Sequence, residues 1–479
     1  MNDNRGTKAP LTGRAAALCA LLALSACNFA PDSPRPATAL PAHYAGADGA
    51  ASTAATVGWQ DFFRDPALRG LIGRALAANH DIRIAAANVA QARAAWRIEG
   101  APLYPQLDAV GSGQRGQSIF TLPGVGTQPI DVRQVSAQLS AGWEIDFWGR
   151  LRNLRDAAAS RFLASEESRR AVATGIIAQV ANGYLLEREY AERVALARQA
   201  IANRTDALRI MRRRHEVGAG TRLDVARARI LLAQAEQALQ ALEQDRAINR
   251  NALALLVGGG PIDFDAEPDA VAIAPVALPT GLPSDLLVNR PDVIAAEYQL
   301  RAANADIGAA RAAFFPNIRL TGAYGLISDD LDGLFSDGIE GWSFAPQITL
   351  PIFHGGQLRG NLGVAHARRD EAVARYEQTV QQAFRDVSDA LVRRRQIGLQ
   401  LDTARALVDA QRERARLAQL RFDNGRSSYL EVLDAERELF DAEQALVQLR
   451  RAQMASVVAL YAALGGGFPA DAAFEETTE

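Results

Sequence analysis

The sequence predicts an α+β membrane protein that consists of two copies of one structural unit. Three observations predict this class: a self-similarity at a shift of 207 residues, segments of period two in each copy, and helical patterns far longer than those of ordinary globular domains. The chain has 479 residues and 48% hydrophobic content, enough for several hundred residues of packed structure. These features together favour long helices combined with a few strands of membrane type.

The duplication is clearest toward the end of each copy. A shift of 207 residues places 214–260 on 421–467 without a gap and pairs Gly218 with Gly425. Earlier segments match at an offset near 211, and a proline-rich stretch without helical period separates the copies. The predicted parts are a first repeat over 58–260, a connector over 261–289 and a second repeat over 290–467.

Each copy contains segments in which apolar residues recur at every second position. Along 132–145 the apolar residues share one face, whereas serine and glutamine residues share the other. The same alternation occurs over 318–326 and 342–352. We therefore predict two β-hairpins, four strands in all, each about as long as or longer than the 9–11 residues of a membrane strand. A soluble sandwich is the alternative, but no other strands are available to cover the apolar face.

Helical patterns fill the rest of each copy. A first helix is predicted over 66–101 and over 291–313, and a very long helix over about 154–217 and 361–424. A helix of roughly 64 residues, at 1.5 Å per residue, makes a rod of roughly 96 Å. A turn containing glycine then reverses the chain into a helix of about 36 residues that stops at three glycines. A plain coiled-coil stalk would explain these helices but not the strands.

The amino terminus has the features of a lipoprotein signal peptide. Residues 1–26 combine basic residues with an apolar run that is too short to cross a bilayer, which needs roughly 20 residues. The run ends in LSAC at Cys27, which resembles a bacterial lipobox and implies an N-acyl diacylglycerol group on Cys27; an ordinary cleavage site is the alternative. Asn28 favours sorting to the outer membrane by the same resemblance. Residues 27–57 are predicted to be a lipidated tether, and 468–479 an acidic C-terminal tail.

Composition excludes several classes of function. The charge is nearly balanced, with 52 Lys+Arg against 55 Asp+Glu, which argues against a basic nucleic-acid binder. Lys8 is the only lysine, so the body of the chain has neither a Schiff-base lysine nor a phosphate-binding P-loop. Both cysteines lie within the first 27 residues, and the five histidines show no ligand spacing. We predict neither an enzyme nor a metal or cofactor site.

Four strands are too few to close a membrane barrel. The smallest single-chain barrel has about 8 strands, and open edges in lipid cost several kcal/mol for each unpaired backbone group. The strands of this chain must therefore join those of other copies in one barrel.

Three segments of the chain resemble one protein family. They are LPSDLLVNRPDVIAAEYQLRAANADIGAARAAFFPNIRLTGAYG at 282–325, WEIDFWGRLRN at 143–153 and NGRSSYLEVLDAERELFDAEQAL at 424–446. These are similar to the TolC-like outer-membrane factors, and most similar to the lipoprotein branch called the NodT or OprM type, which serves resistance-nodulation-division (RND) pumps. The resemblance implies a homotrimer whose twelve strands form one outer-membrane β-barrel, continued by a periplasmic α-helical barrel, with the connector in the equatorial region. It also implies a periplasmic adaptor protein and an inner-membrane RND transporter as partners.

The resemblance further implies a gate at the periplasmic helix tips, where acidic residues ring the lumen. The matching acids here are Asp224, Glu431 and Asp434. Arg227 is the predicted partner of such an acid across neighbouring hairpins, and Arg222 and Arg426 are further candidates. The alternative is that acids in a first helical turn only stabilise the helix N-terminus, by about 0.3–1 kcal/mol.

The turns at 217–221 and 424–428 resemble the surfaces that meet the adaptor. They contain Gly218, Gly220, Gly425 and Arg426. The simpler explanation for the glycines is that they reverse the chain.

The predicted function is the outer-membrane channel of a tripartite efflux pump: a passive trimeric conduit for drugs or other small molecules, lipid-anchored and extending into the periplasm. A type I protein-secretion channel and a non-conducting lipoprotein scaffold are the alternatives. The sequence does not predict which molecule is exported, because a channel wall selects by width and charge rather than by a fitted pocket.

Overall fold

A computed structural model describes most of both repeats. The described residues are 29–32, 34–37, 41, 57–122, 126–262, 264, 289–336 and 338–466. The predicted signal peptide, Cys27, most of the tether, most of the connector and the acidic tail lie outside them. Within these ranges, no helix is both long and apolar enough to cross a membrane.

Both repeats contain, in this order, a helix, two strands, a very long helix and a shorter helix. The first contains α1 (Trp59–Phe62), α2 (Pro66–Ala78), α3 (His80–Gly100), a 3-10 turn (Ala101–Leu103), β1 (Gln106–Leu122), β2 (Gly126–Ile145), α4 (Arg150–Glu216) and α5 (Arg222–Leu256). The second contains α6 (Pro291–Ala312), β3 (Asn317–Ser328), β4 (Ile339–Thr349), α7 (Gln357–Asp423) and α8 (Tyr429–Ala463). The helices α4 and α7 have 67 residues each, and α5 and α8 have 35 each. The predicted duplication is confirmed, and the bounds of these four helices obey the 207-residue shift.

The prediction of one continuous helix over 66–101 is wrong, because Asn79 separates α2 from α3. The Asn79 Oδ1 accepts hydrogen bonds from the backbone N–H groups of Asp81, at 2.8 Å, and Ile82, at 3.3 Å. Its Nδ2 donates to the carbonyl oxygen of Leu256, the last residue of α5, at 2.9 Å. The side chain thus caps the start of α3 and satisfies a carbonyl at the end of α5.

The four strands form one antiparallel sheet in the order β1-β2-β3-β4. The register pairs Ala109 with Leu139, Leu139 with Tyr324, and Tyr324 with Trp342. Because paired residues lie on the same face, most of the apolar positions of the four strands share one face, with Val110, Ile327 and Ile339 on the other. That face includes Leu107, Leu139, Trp143, Leu320, Tyr324, Trp342 and Phe344, and the opposite face includes Asp108, Ser136, Gln138, Arg319, Thr321, Ser343 and Gln347.

The predicted alternation over 342–352 extends too far. The strand β4 ends at Thr349, so Leu350 and Ile352 lie beyond the sheet. The partner strand β3 begins at Asn317, which pairs with Thr349, so the ladder has no partner residues beyond this point.

The chain divides into two compact units, and it passes between them within α3, α4, α6 and α7. One unit contains the sheet together with residues 88–165, 296–376 and the described residues up to Pro36. The other contains the described residues of 37–87, 166–295 and 377–466, with the helices α1, α2, α5 and α8. Small residues such as Ala157, Ala302 and Ala305 pack together in the first unit.

Candidate functional site

In the turn between α4 and α5, here called the first tip, the acidic residue Asp224 forms part of a helix cap. Gly218 has a φ of +75°, which reverses the chain at low cost. The Thr221 hydroxyl donates to Asp224 Oδ2 at 2.7 Å, and the Thr221 N–H donates to the same oxygen at 3.0 Å. The Asp224 N–H donates back to Thr221 Oγ1 at 3.2 Å, so the pair forms a capping box. These hydrogen bonds, and to a smaller degree the charge of Arg227, lower the pKa of Asp224.

The turn between α7 and α8, here called the second tip, leaves its acids facing arginine side chains. Gly425 has a φ of +70°, like its counterpart Gly218. Glu431 stands at the third position of α8, but the cap residue Ser428 makes no side-chain bond to it. Instead, the Glu431 carboxylate lies 3.3 Å from a guanidinium nitrogen of Arg421 on α7. The duplicated position thus forms a cap in one repeat and an exposed ion pair in the other.

The other site residues predicted from the sequence lie at or near the two tips. Asp434 lies 3.9 Å from Arg437 on the same helix, with both side chains about half exposed. Arg222 is the first residue of α5, and the Arg426 backbone N–H donates to the Arg421 carbonyl at 2.8 Å. A Cβ atom on Gly220 would lie 3.2 Å from the Arg214 Cβ, which favours glycine there. Pairing between these arginines and acids of other hairpins stays a prediction.

An aromatic cluster that was not predicted from the sequence joins the two tips. The Arg214 guanidinium of α4 lies 4.9 Å from the Phe422 ring centroid of α7. The Phe422 ring lies 4.8 Å from that of Tyr429, which begins α8. Leu208, Met211 and Ala228 form the buried part of this cluster. Burial raises the pKa of the Tyr429 hydroxyl, so this side chain stays neutral and acts through packing.

Contacts between α4 and α8 join the two helical hairpins, and we call them the in-chain seam. The polar contacts between the two helices are Arg451 to Glu189 at 2.7 Å, Arg193 to Gln444 at 2.7 Å and Arg450 to Glu192 at 3.1 Å. Within α4, Arg193 also lies 2.9 Å from Glu189. Glu189 is 5% exposed, so its charge depends on these two arginines.

The in-chain seam continues toward the tips at Arg204. Its guanidinium lies 5.3 Å from the Phe440 ring centroid of α8 and donates to the Leu231 carbonyl of α5 at 2.8 Å. Burial lowers the pKa of Arg204 and raises the pKa of Glu436, and the attraction between the two charges opposes both shifts. Sequence reasoning missed these seam residues, because their importance depends on which helices become neighbours.

The first described residues lie beside the base of the sheet. The Phe29 ring stacks on Phe315 with centroids 4.8 Å apart, and Phe315 stacks on Trp148 at 4.8 Å. Arg311 donates to the Phe29 carbonyl at 3.1 Å. Phe29 follows Cys27 by two residues.

A glycine and an ion pair hold the next residues against α6. A Cβ atom on Gly308 would lie 2.8 Å from the backbone nitrogen of Ala30, so only glycine allows this close approach. Arg35 donates to the carboxylate of Glu297 at 3.0 Å. The described residues between 29 and 37 thus contact α6 at Ala30 and again at Arg35.

The described ranges contain no group of three or more His, Cys, Asp or Glu side chains arranged to hold a metal ion.

Comparison with known proteins agrees with this architecture. The family model described as "Outer membrane efflux protein" matches twice, over 71–259 and 282–466. The solvent efflux pump outer membrane protein SrpC of Pseudomonas putida is 43% identical over 94% of this chain and 97% of its own. The cation efflux system protein CusC of Escherichia coli is 36% identical over 94% of this chain and 98% of its own. The open-state MtrE outer membrane channel of Neisseria gonorrhoeae superposes with a TM-score of 0.84 at 37% identity, covering 92% of this chain and 98% of its own.

The sheet with one apolar face, the duplicated long hairpins and these matches define an outer-membrane channel protein of the efflux class. The chain belongs to the outer membrane efflux protein family, and it is the outer-membrane component of an efflux system. The predicted family and fold class are confirmed.

Proposed function

We propose that three copies of this chain form a gated, passive conduit through which small molecules leave the cell across the outer membrane. The observation that carries this proposal is the four-stranded sheet, which has one apolar and one polar face. A barrel wall needs such faces, since one side contacts lipid and the other a watery lumen. The exposed Trp342 and Phe344, at 80% and 63%, suit the lipid side.

The sheet also supports assembly from several copies. Among the described strands, β1 and β4 each pair along one edge only, so two rows of backbone groups are available. Pairing β4 of one copy with β1 of the next would satisfy them, and three copies would supply twelve strands in a closed ring. Closure removes every open edge, which a single chain cannot achieve.

In this proposal the second tip carries the gate. Glu431 and Asp434 are about half exposed, with side chains 47% and 46% accessible, and three copies would bring six carboxylates near the axis. Such a ring attracts cations and disfavours anions. Asp224 contributes less, because its carboxylate is engaged by Thr221. The turns with Gly218, Gly220, Gly425 and Arg426 are the proposed contacts for the periplasmic adaptor, which would link the conduit to an inner-membrane RND transporter.

Cys27 is the proposed attachment site of the lipid anchor. The stack of Phe29 on Phe315 supports this, because it holds the chain two residues from Cys27 beside the base of the sheet. Three acyl chains at about 0.8 kcal/mol per buried CH₂ would keep the protein on the membrane. The cargo is a small molecule whose class differs among relatives, one of which is named for solvents and another for cations.

The assembly and the anchor are tested on one detergent-purified sample. Native mass spectrometry should give the mass of three chains, each carrying an acyl modification, and metabolic labelling with palmitate should disappear in Cys27→Ala. The Cys27→Ala chain should still assemble, since the sheet does not include the anchor. A monomer would argue against the shared barrel, and palmitate incorporation into Cys27→Ala would refute the attachment site.

A further inference from the structure

The polar face of the sheet carries an exposed arginine near the end at which the strands join the helices. Among the described strand residues, the charged side chains on this face are Asp108, Glu144 and Arg319. The register places Arg319 directly opposite Glu144 of β2 and Gln347 of β4. Glu144 would neutralise Arg319 if the two formed an ion pair, so the partner of Glu144 decides the charge of this level of the sheet.

The carboxylate of Glu144 is engaged by α4. Arg150, the first residue of that helix, donates to Glu144 Oε1 from Nε at 3.2 Å and from a terminal guanidinium nitrogen at 2.7 Å. The Arg319 side chain lies toward β2, where a Cβ atom on Gly142 would be 3.9 Å from its guanidinium. No described carboxylate forms an ion pair with Arg319. Two arginines and one glutamate thus leave one net positive charge in each chain at this level.

Asp108 lies at a different level of the sheet. It pairs with Ser140, which pairs in turn with Ala323, four residues further along β3 than Arg319. Four residues of a strand span about 13 Å, which exceeds the Debye length of about 10 Å at 0.1 M salt. Asp108 of the same chain therefore offsets the field of Arg319 only weakly.

We propose that Arg319 determines the charge preference at the base of the barrel, where three copies form a positive layer that attracts small carboxylates and repels cations. This inference rests on the proposed trimeric conduit, in which the polar face lines the lumen. Twelve strands about 4.8 Å apart and tilted by about 40° would close at a radius of roughly 12 Å. Three arginines that extend inward from such a wall lie within about one Debye length of the axis.

The guanidinium group recognises chemistry as well as charge. Its planar fork can donate two parallel hydrogen bonds to one carboxylate, and rings of arginine or lysine are typical of pores that conduct anions. The second-tip acids favour cations, so the two sets of charges oppose each other. A conduit with both should pass neutral and zwitterionic molecules more readily than multivalent ions of either sign.

The ion selectivity of the purified trimer in planar lipid bilayers tests this proposal. Arg319→Gln should raise the cation-to-anion permeability ratio, obtained from the reversal potential in a salt gradient, by about two- to threefold near 0.1 M salt. Arg319→Lys should keep the wild-type ratio, because it keeps the charge. Arg133→Gln makes the matched change on the opposite face of β2 and should leave the ratio unchanged.

A second measurement uses the wild-type protein and does not depend on the folding of a variant. Citrate, a tricarboxylate, is added to the solution that faces the strand ends away from the helices. It should reduce the wild-type current, because the arginine layer binds it. Where Arg319→Gln assembles, the same concentration should have little effect on its current.

Three results would overturn the arginine layer and leave the proposed conduit standing. The first is a conducting Arg319→Gln trimer whose permeability ratio equals that of the wild type or shifts no more than that of Arg133→Gln. The second is an Arg319→Lys trimer that behaves like Arg319→Gln. The third is a conducting wild-type trimer that citrate does not inhibit from that side. A folded wild-type trimer that passes no current would overturn the conduit, and this inference with it.

Discussion

The two repeats have helical hairpins of the same length but different polar side chains along them. Their long helices are equal in length, and so are the helices that follow them. At the tips, Asp224 closes a cap in the first repeat, whereas Glu431 at the same position faces Arg421 in the second. Along the helices, the buried acid Glu189 has Gln396 as its exposed counterpart. Duplication kept the lengths that fix where helices meet, while the side chains diverged to suit different neighbours.

The largest effect should come from removing the buried acid of the in-chain seam. Glu189→Ala leaves Arg193 and Arg451 without their shared carboxylate, and breaking a buried pair costs about 3–5 kcal/mol. The matched change Gln396→Ala removes an uncharged group and should cost at most about 1 kcal/mol. Urea titrations followed by tryptophan fluorescence should therefore separate the two variants clearly. Similar midpoints would mean that the copies do not differ in this way.

The next effect concerns the sheet, where the two repeats should behave alike. Phe344→Arg in β4 and Leu139→Arg in β2 place a charge on the apolar face, at a cost of about 2–4 kcal/mol in each copy near the bilayer midplane. Both should sharply reduce the assembled trimer, as measured by native mass spectrometry of the membrane fraction. Ser343→Arg, one residue away on the opposite face, should assemble normally and change conductance instead. If Phe344→Arg formed normal amounts of trimer and Ser343→Arg did not, the assignment of the two faces would have to be reversed.

Much of this fold could be predicted from the sequence because it depends on period and length. The alternation along 132–145 predicted which residues of β2 share the apolar face. The self-similarity predicted that each long helix of one repeat has a counterpart of equal length in the other. The break at Asn79 is not visible in the apolar period, although asparagine is a favoured helix cap and Asn79 accepts from the nearby N–H groups of Asp81 and Ile82. The end of β4 at Thr349 is not visible in the alternation either, because it depends on where the partner strand β3 begins.

The smallest effect should distinguish the tips. Asp224→Ala removes the carboxylate half of a capping box and should destabilise the start of α5 by about 0.5–1.5 kcal/mol, whereas Glu431→Ala removes an exposed pair worth about 0–1 kcal/mol. Because the pKa of Asp224 is lowered, its contribution is present above the ordinary carboxyl range and is lost as the pH falls through that lowered pKa. Hydrogen exchange of the amides of α5 and α8 at neutral and acidic pH measures both. Equal protection changes in the two helices would contradict the difference.

The candidate site was less predictable than the fold. The family resemblance located the acids at both tips, and it did not distinguish an acid that caps from one that faces a neighbour. That distinction depends on the side chain at the cap position: the Thr221 hydroxyl bonds the Asp224 carboxylate, whereas the Ser428 side chain makes no cap bond. The seam residues Arg204 and Glu436 escaped notice for a related reason, since charges so far apart in sequence meet only after both hairpins have packed.

We propose that the assembled protein conducts ions through a lumen narrowed by the second-tip acids. Current recordings of the purified trimer in planar lipid bilayers measure this. The wild-type trimer should open channels that prefer cations, and Glu431→Ala combined with Asp434→Ala should raise the conductance and weaken that preference, because the carboxylate ring is gone. A correctly folded trimer that inserts into the bilayer and passes no current would contradict the claim.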